Sequence, residues 1–321
     1  MPPAPAGSAP GVAHVAIEAE QAGQRIDNFL LARLKGVPKS RIYRILRKGE
    51  VRVNKKRVAP GYRLQAGDVV RVPPVRVAET AGPGPRAAQV GQRLYASAIH
   101  EDGRLLVVDK PAGLAVHGGS GMSFGVIEAL RAARPDAPYL ELVHRLDRET
   151  SGCLLVAQRR STLRRLHELL REGRVEKRYL ALVMGEWTRG FLRQEDDLVI
   201  GRGAEGERYV RVAEEGRRAS SDFRPLGTGP IASFMEITIH TGRTHQIRVQ
   251  SEALGHPLAG DERYGQKDFN RRMKALGLRR MFLHAAALGF TDPVTGEARV
   301  FSSPLPPDLR RVLDHLEIAH A

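Results

Sequence analysis

The sequence predicts an α+β protein in two parts: a small, strongly basic α/β module, then a larger domain with a mixed, largely antiparallel sheet. Three features of its 321 residues lead there. Positive charge is concentrated near the N-terminus. A Pro/Gly-rich stretch follows that charge. Beyond it, strand-like runs lie beside one another, interspersed with helices, without the regular alternation a parallel sheet requires.

Met1 to Ala13 is rich in Pro, Ala, Gly and Ser and carries no charged side chain. It lacks the basic flank and apolar block of a signal peptide, so a floppy tail is expected over residues 1–13. The basic module follows at 14–77. Ile26, Phe29, Leu30 and Leu34 recur at helical spacing across Arg25 to Lys35. Pro38 opens a second helix, Lys39 to Lys48, with Ile42, Ile45 and Leu46 inward. Its other face carries Lys39, Arg41, Arg44, Arg47 and Lys48, and Gly49 ends it. Val51 to Val53 and Val69 to Val72 then read as strands, with turns at Asn54-Lys55 and Ala66-Gly67-Asp68. Residues 78–93 have linker composition. In the second domain, 94–321, strands are expected at Leu105 to Val108, Cys153 to Ala157, Arg178 to Met184, Phe234 to His240 and Ala298 to Phe301. Helices are expected at Phe124 to Ala133, Thr162 to Arg171 and Thr244 to Leu254. There is no internal repeat.

Charge bounds the partner. Between Ala13 and Val77 stand 15 Lys and Arg against 5 Asp and Glu, a net +10 of the chain's +15. Such a footprint fits a polyphosphate. Membrane anchoring would need Trp or Phe flanking the basic helix, and the module holds only Phe29 and two tyrosines. An apolar share of 42% supports a sizeable core. A single cysteine, Cys153, excludes a disulfide framework and fits a reducing compartment. No run reaches the ~18 apolar residues of a membrane span. A cytoplasmic protein is expected, with a monomer as the default.

Several patterns only imitate chemistry. Gly201, Gly203 and Gly206 spell G-x-G-x-x-G, but the strand-like Tyr209 to Val212 follows where a dinucleotide site needs a helix, so a hairpin loop is expected. His144, Asp147, His245, His256 and His284 show no metal-ligand spacing. Ser151, His144 and Asp147 are too close in sequence for a hydrolase triad, and Ser151-Gly152 reads as a turn. Asp147 is different. It lies between Arg145 and Arg148, just ahead of the buried strand Cys153 to Ala157, a setting suited to an anionic substrate. Thr244 can cap a helix whose first turn holds His245, Gln246 and Arg248, an arrangement that favours anions. Tyr179 alternates inward with Ala181 and Val183, which also suits a core tyrosine.

Taken together, Val143-His144-Arg145-Leu146-Asp147 with Thr150-Ser151-Gly152 resembles the catalytic motif of the RluA-type pseudouridine synthases. Asp109-Lys110-Pro111-Ala112-Gly113, Lys177-Arg178-Tyr179-Leu180 and Gly242-Arg243-Thr244-His245-Gln246-Ile247-Arg248 are similar to further blocks of that family, in the same order. Asp109 stands where members often carry Asn. The basic module resembles an S4-type RNA-binding domain, placed as in the RluC and RluD branches, and Pro38 to Asn54 is RluC-like in particular.

The resemblance implies isomerisation of uridine to pseudouridine in 23S rRNA or its large-subunit precursor, at several sites. No metal, nucleotide or redox cofactor is implied. It assigns the nucleophile or base to Asp147 and that group's cation to Arg248. Tyr179 would stack on the detached uracil and help remove the C5 proton. Arg145, two residues before Asp147, would fill the space left by an everted nucleotide or hold the RNA backbone. Arg243 and His245 would contact phosphate, and the basic helix would add affinity through counterion release. Two rivals remain: a non-catalytic RNA-binding protein of the same fold, and a base-removing glycosylase, which would release free uracil.

Overall fold

The computed structural model describes residues 11–34, 37, 39–75, 84–118, 123–202 and 208–320. Its contacts divide the chain into two units, Met1–Gly82 and Pro83–Ala321.

The first unit packs two helices, α1 (Ile26–Arg33) and α2 (Lys39–Arg47), on three short strands, β1 (Ala13–Ala16), β2 (Arg52–Val53) and β3 (Val69–Val72). The strands run antiparallel in the order β1-β3-β2. Ile26, Phe29, Leu30, Ile42, Ile45 and Leu46 are buried against Val51, Val53, Leu64, Val70 and Val72. This is the apolar stripe that helical spacing predicts. Strand β1, which the sequence did not reveal, takes its register from β3, pairing Ala13 with Val72.

Two of the module's five acids are buried and fully engaged. Asp27 accepts from Arg25, Tyr43 and the Asn28 amide. Asp68 accepts from Asn54, Tyr62 and the Gln65 amide. The outer face is therefore more positive than composition suggests, and Arg41, Arg44, Arg47 and Lys48 all stand exposed on it or just beyond α2.

The second unit is built on an eleven-stranded sheet. In chain order its elements are α3 (Pro85–Ala96), β4 (Ala98–Glu101), β5 (Leu105–Lys110), α4 (Val126–Ala133), β6 (Glu141–Leu142), β7 (Ser151–Ala157), α5 (Arg160–Arg171), β8 (Glu176–Met184), β9 (Leu192–Arg202), β10 (Arg208–Ala213), β11 (Arg217–Thr228), β12 (Ala232–Ile239), α6 (Gln246–Ala253), α7 (Lys267–Ala275), β13 (Leu283–Thr291), β14 (Ala298–Ser302) and α8 (Pro307–His315). The strand order is β10-β9-β11-β12-β8-β13-β7-β5-β4, with β14 added beside β13 and β6 beside β7. Among the described residues every pairing is antiparallel except β7 with β13. The mixed, largely antiparallel sheet is thus as expected.

Two readings need correction. The linker expected at 78–93 contains the start of α3. Pro85 occupies the first helical turn, and Ala87, Gly91 and Leu94 are buried at helical spacing. Gly91 is there for close packing, since a Cβ would lie 2.0 Å from the Ala129 carbonyl oxygen. Residues 78–83 of that stretch lie outside the described residues, as do 76–77 of the module and residues 1–10 of the expected tail. Ser151-Gly152 is not a turn but the start of β7, paired in parallel with His284 and Ala285. Gly152 has φ +107° and abuts the Ala285 carbonyl, so no side chain fits there. The G-x-G-x-x-G stretch does join antiparallel strands β9 and β10, although Gly203 and Gly206 themselves lie outside the described residues.

The loop between β6 and β7 is pinned from several sides. The Leu155 amide donates to His144 Nε2 at 3.1 Å, and the Val143 amide to the Leu155 carbonyl. Lys110, wholly buried, donates to the carbonyls of Pro111, Leu114 and Arg148 at 2.9, 2.8 and 3.0 Å. Burial pulls this amine down to about 7, against the pull of Glu149 and Asp147. Three acceptors nevertheless use all three protons of an ammonium, and that geometry favours the charged form. The Asp-Lys-Pro-Ala-Gly stretch is thus a clamp on the next loop.

Burial, reinforced by the Lys177 charge, pushes His144 down to about 4 from 6.5. A neutral His144 must therefore be protonated on acidification. Between pH 6.5 and 4 the unfolded chain binds the proton and the folded chain does not, so stability falls as pH drops through that window. Urea unfolding of wild type between pH 7 and 4 should lose up to roughly 3 kcal/mol more than His144→Gln, which keeps an acceptor for Leu155. Parallel pH curves for the two proteins would show that His144 is not held neutral.

Candidate active site

Two segments about a hundred residues apart in sequence meet at one cleft. From the β6–β7 loop come Arg145, Leu146, Asp147 and Thr150; from the turn after β12 and the start of α6 come Gly242 to Arg248; Tyr179 of β8 contributes a wall. The cleft is narrow, with a cavity volume of about 80 Å³, and opens to solvent.

Helix α6 is set by an inward-turned glutamine. Gln246 is buried; its Oε1 accepts from Thr241 Oγ1 and the Arg243 amide, and its Nε2 donates to the Ser220 carbonyl and Ser221 Oγ. One turn later Gln250 accepts from Ser221 Oγ and donates to Asp196. Thr244 is not the cap that the sequence suggested. His245 occupies that position, in a left-handed conformation with φ 55° and ψ 22°. With Gln246 bracing the turn from within, the helix starts there.

This places Arg248 opposite Asp147. Nη1 donates to Asp147 Oδ2 at 3.2 Å, with side chains 13% and 18% exposed. The stronger bonds go elsewhere: Nε and Nη2 donate to the two oxygens of Asp261 at 2.6 and 2.8 Å. Asp261 has no exposed side-chain surface and also accepts from the amides of Arg263 and Tyr264. Burial opposes its ionisation, but Arg248 and those amides outweigh burial and hold the carboxyl below its ordinary value. Burial likewise opposes the Arg248 cation, and the two aspartates overcome it. The Tyr264 ring lies beneath the guanidinium, 4.9 Å from Cζ.

The remaining predicted site residues divide into those in the cleft and those outside it. Tyr179 is buried, and burial, then Asp147 and Cys153, push its phenol well above the ordinary range. Arg145 is exposed beside Asp147. Arg243 is exposed, with Nε donating to the Arg218 carbonyl. His245 does not project outward like a surface phosphate contact: it is 17% exposed, with Nε2 3.9 Å from Asp147 Oδ2. Arg41, Arg44, Arg47 and Lys48 belong to the first unit; Lys39 is helical, and its side chain lies outside the described set.

The imitations dissolve into structural roles. His256 Nδ1 bonds the Met184 carbonyl. His284 links Ser151 Oγ to the Ser303 carbonyl, and Ser303 Oγ donates to Asp109. Ser151 Oγ also accepts from Arg280, so it is occupied as well as buried. Sequence reading missed Asp261 and Tyr264. The available signal was an acid and an aromatic spaced between two tightly packed glycines, Gly260 and Gly265.

Comparison with known proteins now bears on the chain as a whole. The sequence model of the RNA pseudouridylate synthase family matches residues 104–253, and that of the S4 domain matches residues 24–70. The chain is 54% identical over 314 residues to ribosomal large subunit pseudouridine synthase C of Escherichia coli (strain K12), covering 97% of this chain and 98% of that protein. It is 54% identical over 302 residues to the protein of the same name from Pasteurella multocida, covering 94% and 92%. Among solved structures, human RNA pseudouridylate synthase domain containing 4 superposes with a TM-score of 0.62 at 25% identity, covering 73% of this chain and 98% of that one. The fold, the order of its two domains and this near end-to-end identity together make the chain a member of the RNA pseudouridylate synthase family, in the form that carries an S4 domain ahead of the catalytic domain.

Proposed function

We propose that this chain isomerises specific uridines of 23S rRNA to pseudouridine, at several positions, and that Asp147 starts the reaction. The names of its relatives support a large-subunit rRNA substrate. The observation that supports the role of Asp147 is its carboxylate at the cleft, held from one side by a buried guanidinium. Breaking the N1–C1′ bond requires that group either to attack the sugar or base, or to take the C2′ proton. Each route needs an ionised acid shielded from water. Arg248 sets a cation and a hydrogen-bond donor against Asp147 Oδ2.

The uridine must leave its stack to reach this depth, at an expense of a few kcal/mol. Arg145, exposed at the cleft mouth, is placed to occupy the space it vacates. Tyr179 meets the base as a neutral phenol, offering a stacking wall and a hydrogen-bond donor. Removal of the C5 proton by this side chain would first require its ionisation, which burial beside Asp147 opposes. The complete set of Asp147, Arg248 and Tyr179 argues against a non-catalytic binder. Product analysis separates a glycosylase, because isomerisation releases no free uracil.

With unmodified 23S rRNA, Asp147→Asn should abolish pseudouridine formation, measured by chemical mapping, while RNA affinity stays within a few-fold. Continued turnover would remove Asp147 from the mechanism. Replacing Arg44 and Arg47 together by Ala should weaken RNA binding and flatten the slope of log affinity against log salt by about one for each phosphate no longer neutralised. An unchanged slope would exclude the basic helix from a role at the phosphates.

A further inference from the structure

Tyr264 is hydrogen-bonded to His245, and the direction of that bond decides which ring nitrogen carries the proton. The Val210 amide of β10 donates to the Tyr264 hydroxyl oxygen at 3.0 Å. The hydroxyl proton is then free to be given, and His245 Nδ1 lies 2.8 Å away. If Nδ1 accepts that proton's hydrogen bond, the single proton of a neutral ring sits on Nε2. Neutrality is supported by the surroundings: burial lowers the imidazole first, Arg248 and Arg263 lower it further, and Asp147 and Asp261 oppose them. The Nε2–H lies on the Asp147 side, 3.9 Å from Oδ2, about 1 Å beyond hydrogen-bond length.

Arg248 Nη1 and His245 Nε2 therefore converge on the same oxygen, Oδ2. The backbone supports this aim at an energetic disadvantage, because His245 is left-handed, a conformation disfavoured for residues other than Gly, Asn and Asp. Resting on the assignment of Asp147 as the reacting carboxylate, we infer that His245 is a positioning residue: a neutral Nε2–H donor, its tautomer set by Tyr264, that closes the remaining 1 Å or so onto Asp147 Oδ2 when the nucleotide is bound, joins Arg248 there, and so leaves Oδ1 as the oxygen that reacts. Because Tyr264 is also bonded to Val210, the β9–β10 hairpin is tied to this orientation.

Two substitutions separate this role from its rivals. The amide nitrogen of Gln reaches about as far as Nε2, whereas that of Asn stops near Nδ1. At φ 55°, however, Asn is the better backbone fit. Single-turnover pseudouridine formation at saturating 23S rRNA should fall about 10- to 100-fold in His245→Asn, the effect of losing one bond to a charged group, and by less than about 5-fold in His245→Gln. RNA affinity should stay within about 2-fold in both. The nitrogen-15 spectrum of histidine-labelled wild type should show His245 as the Nε2–H tautomer, and Tyr264→Phe should abolish that preference.

The inference is overturned if Gln is no better than Asn, if both variants keep the wild-type rate, or if His245 carries its proton on Nδ1. It is equally overturned if both variants lose affinity and salt dependence at an unchanged saturated rate, the behaviour of a phosphate-binding side chain. A wild-type chain that forms no pseudouridine would instead sink the functional reading, and the tautomer measurement would still decide the geometry.

Discussion

Arg248 is shared between two carboxylates, and the rest of the site depends on how it is divided. Two of its bonds hold Asp261 and one reaches Asp147. Asp261 is wholly buried and bonded to two backbone amides, so it is the fixed member of the three. The guanidinium is thereby aimed and largely neutralised from behind, while Asp147 remains partly open to the cleft. With both aspartates ionised, the trio carries one net negative charge. That charge belongs to the side chain facing the cleft. Orienting a buried cation in this way reduces the reorganisation required during reaction.

Keeping that arrangement rigid explains much of the buried polar architecture. The loop between β6 and β7 that carries Asp147 is held by the Lys110 ammonium and by the Leu155 amide bonded to His144. Its C-terminal end is tied through Ser151 to His284 on β13 and to Arg280. Opposite, Gln246 and Gln250 lock α6 onto β11 and β9. Each group is hydrogen-bonded, as burial demands. The sheet brings these anchors together although Lys110, Asp147, Arg248 and Asp261 come from widely separated stretches of chain.

Much of this was legible in the sequence, for identifiable reasons. Helices α1, α2, α5 and the strands β5, β7 and β8 show their periodicity because each buries one face or a continuous run. The small basic module was visible from charge alone. Asp147, Arg248 and Tyr179 stood out through their local patterns, and the resemblance to a family brought them together. The misses have physical causes too. Helix α3 was hidden because Pro85 and Gly91 look like linker residues, whereas one starts a helix and the other admits a neighbouring helix. Asp261 was hidden because its importance lies in burial and in its bond to a residue thirteen positions earlier, neither of which composition reports. His245 read as a basic helix-start residue until its left-handed backbone placed the ring inside the cleft.

In the proposed reaction the basic face of α2 and the arginines around the cleft would supply affinity for a polyanion, while the chemistry would rest on the orientation of one guanidinium. The most direct test is the single-turnover rate of pseudouridine formation in Asp261→Asn at saturating 23S rRNA. Asp261 is buried away from the substrate, so a loss of about 100-fold or more in rate with RNA affinity unchanged is the expected result. A wild-type rate in a folded Asp261→Asn protein would contradict the account, because Arg248 would then need no partner behind it to serve Asp147.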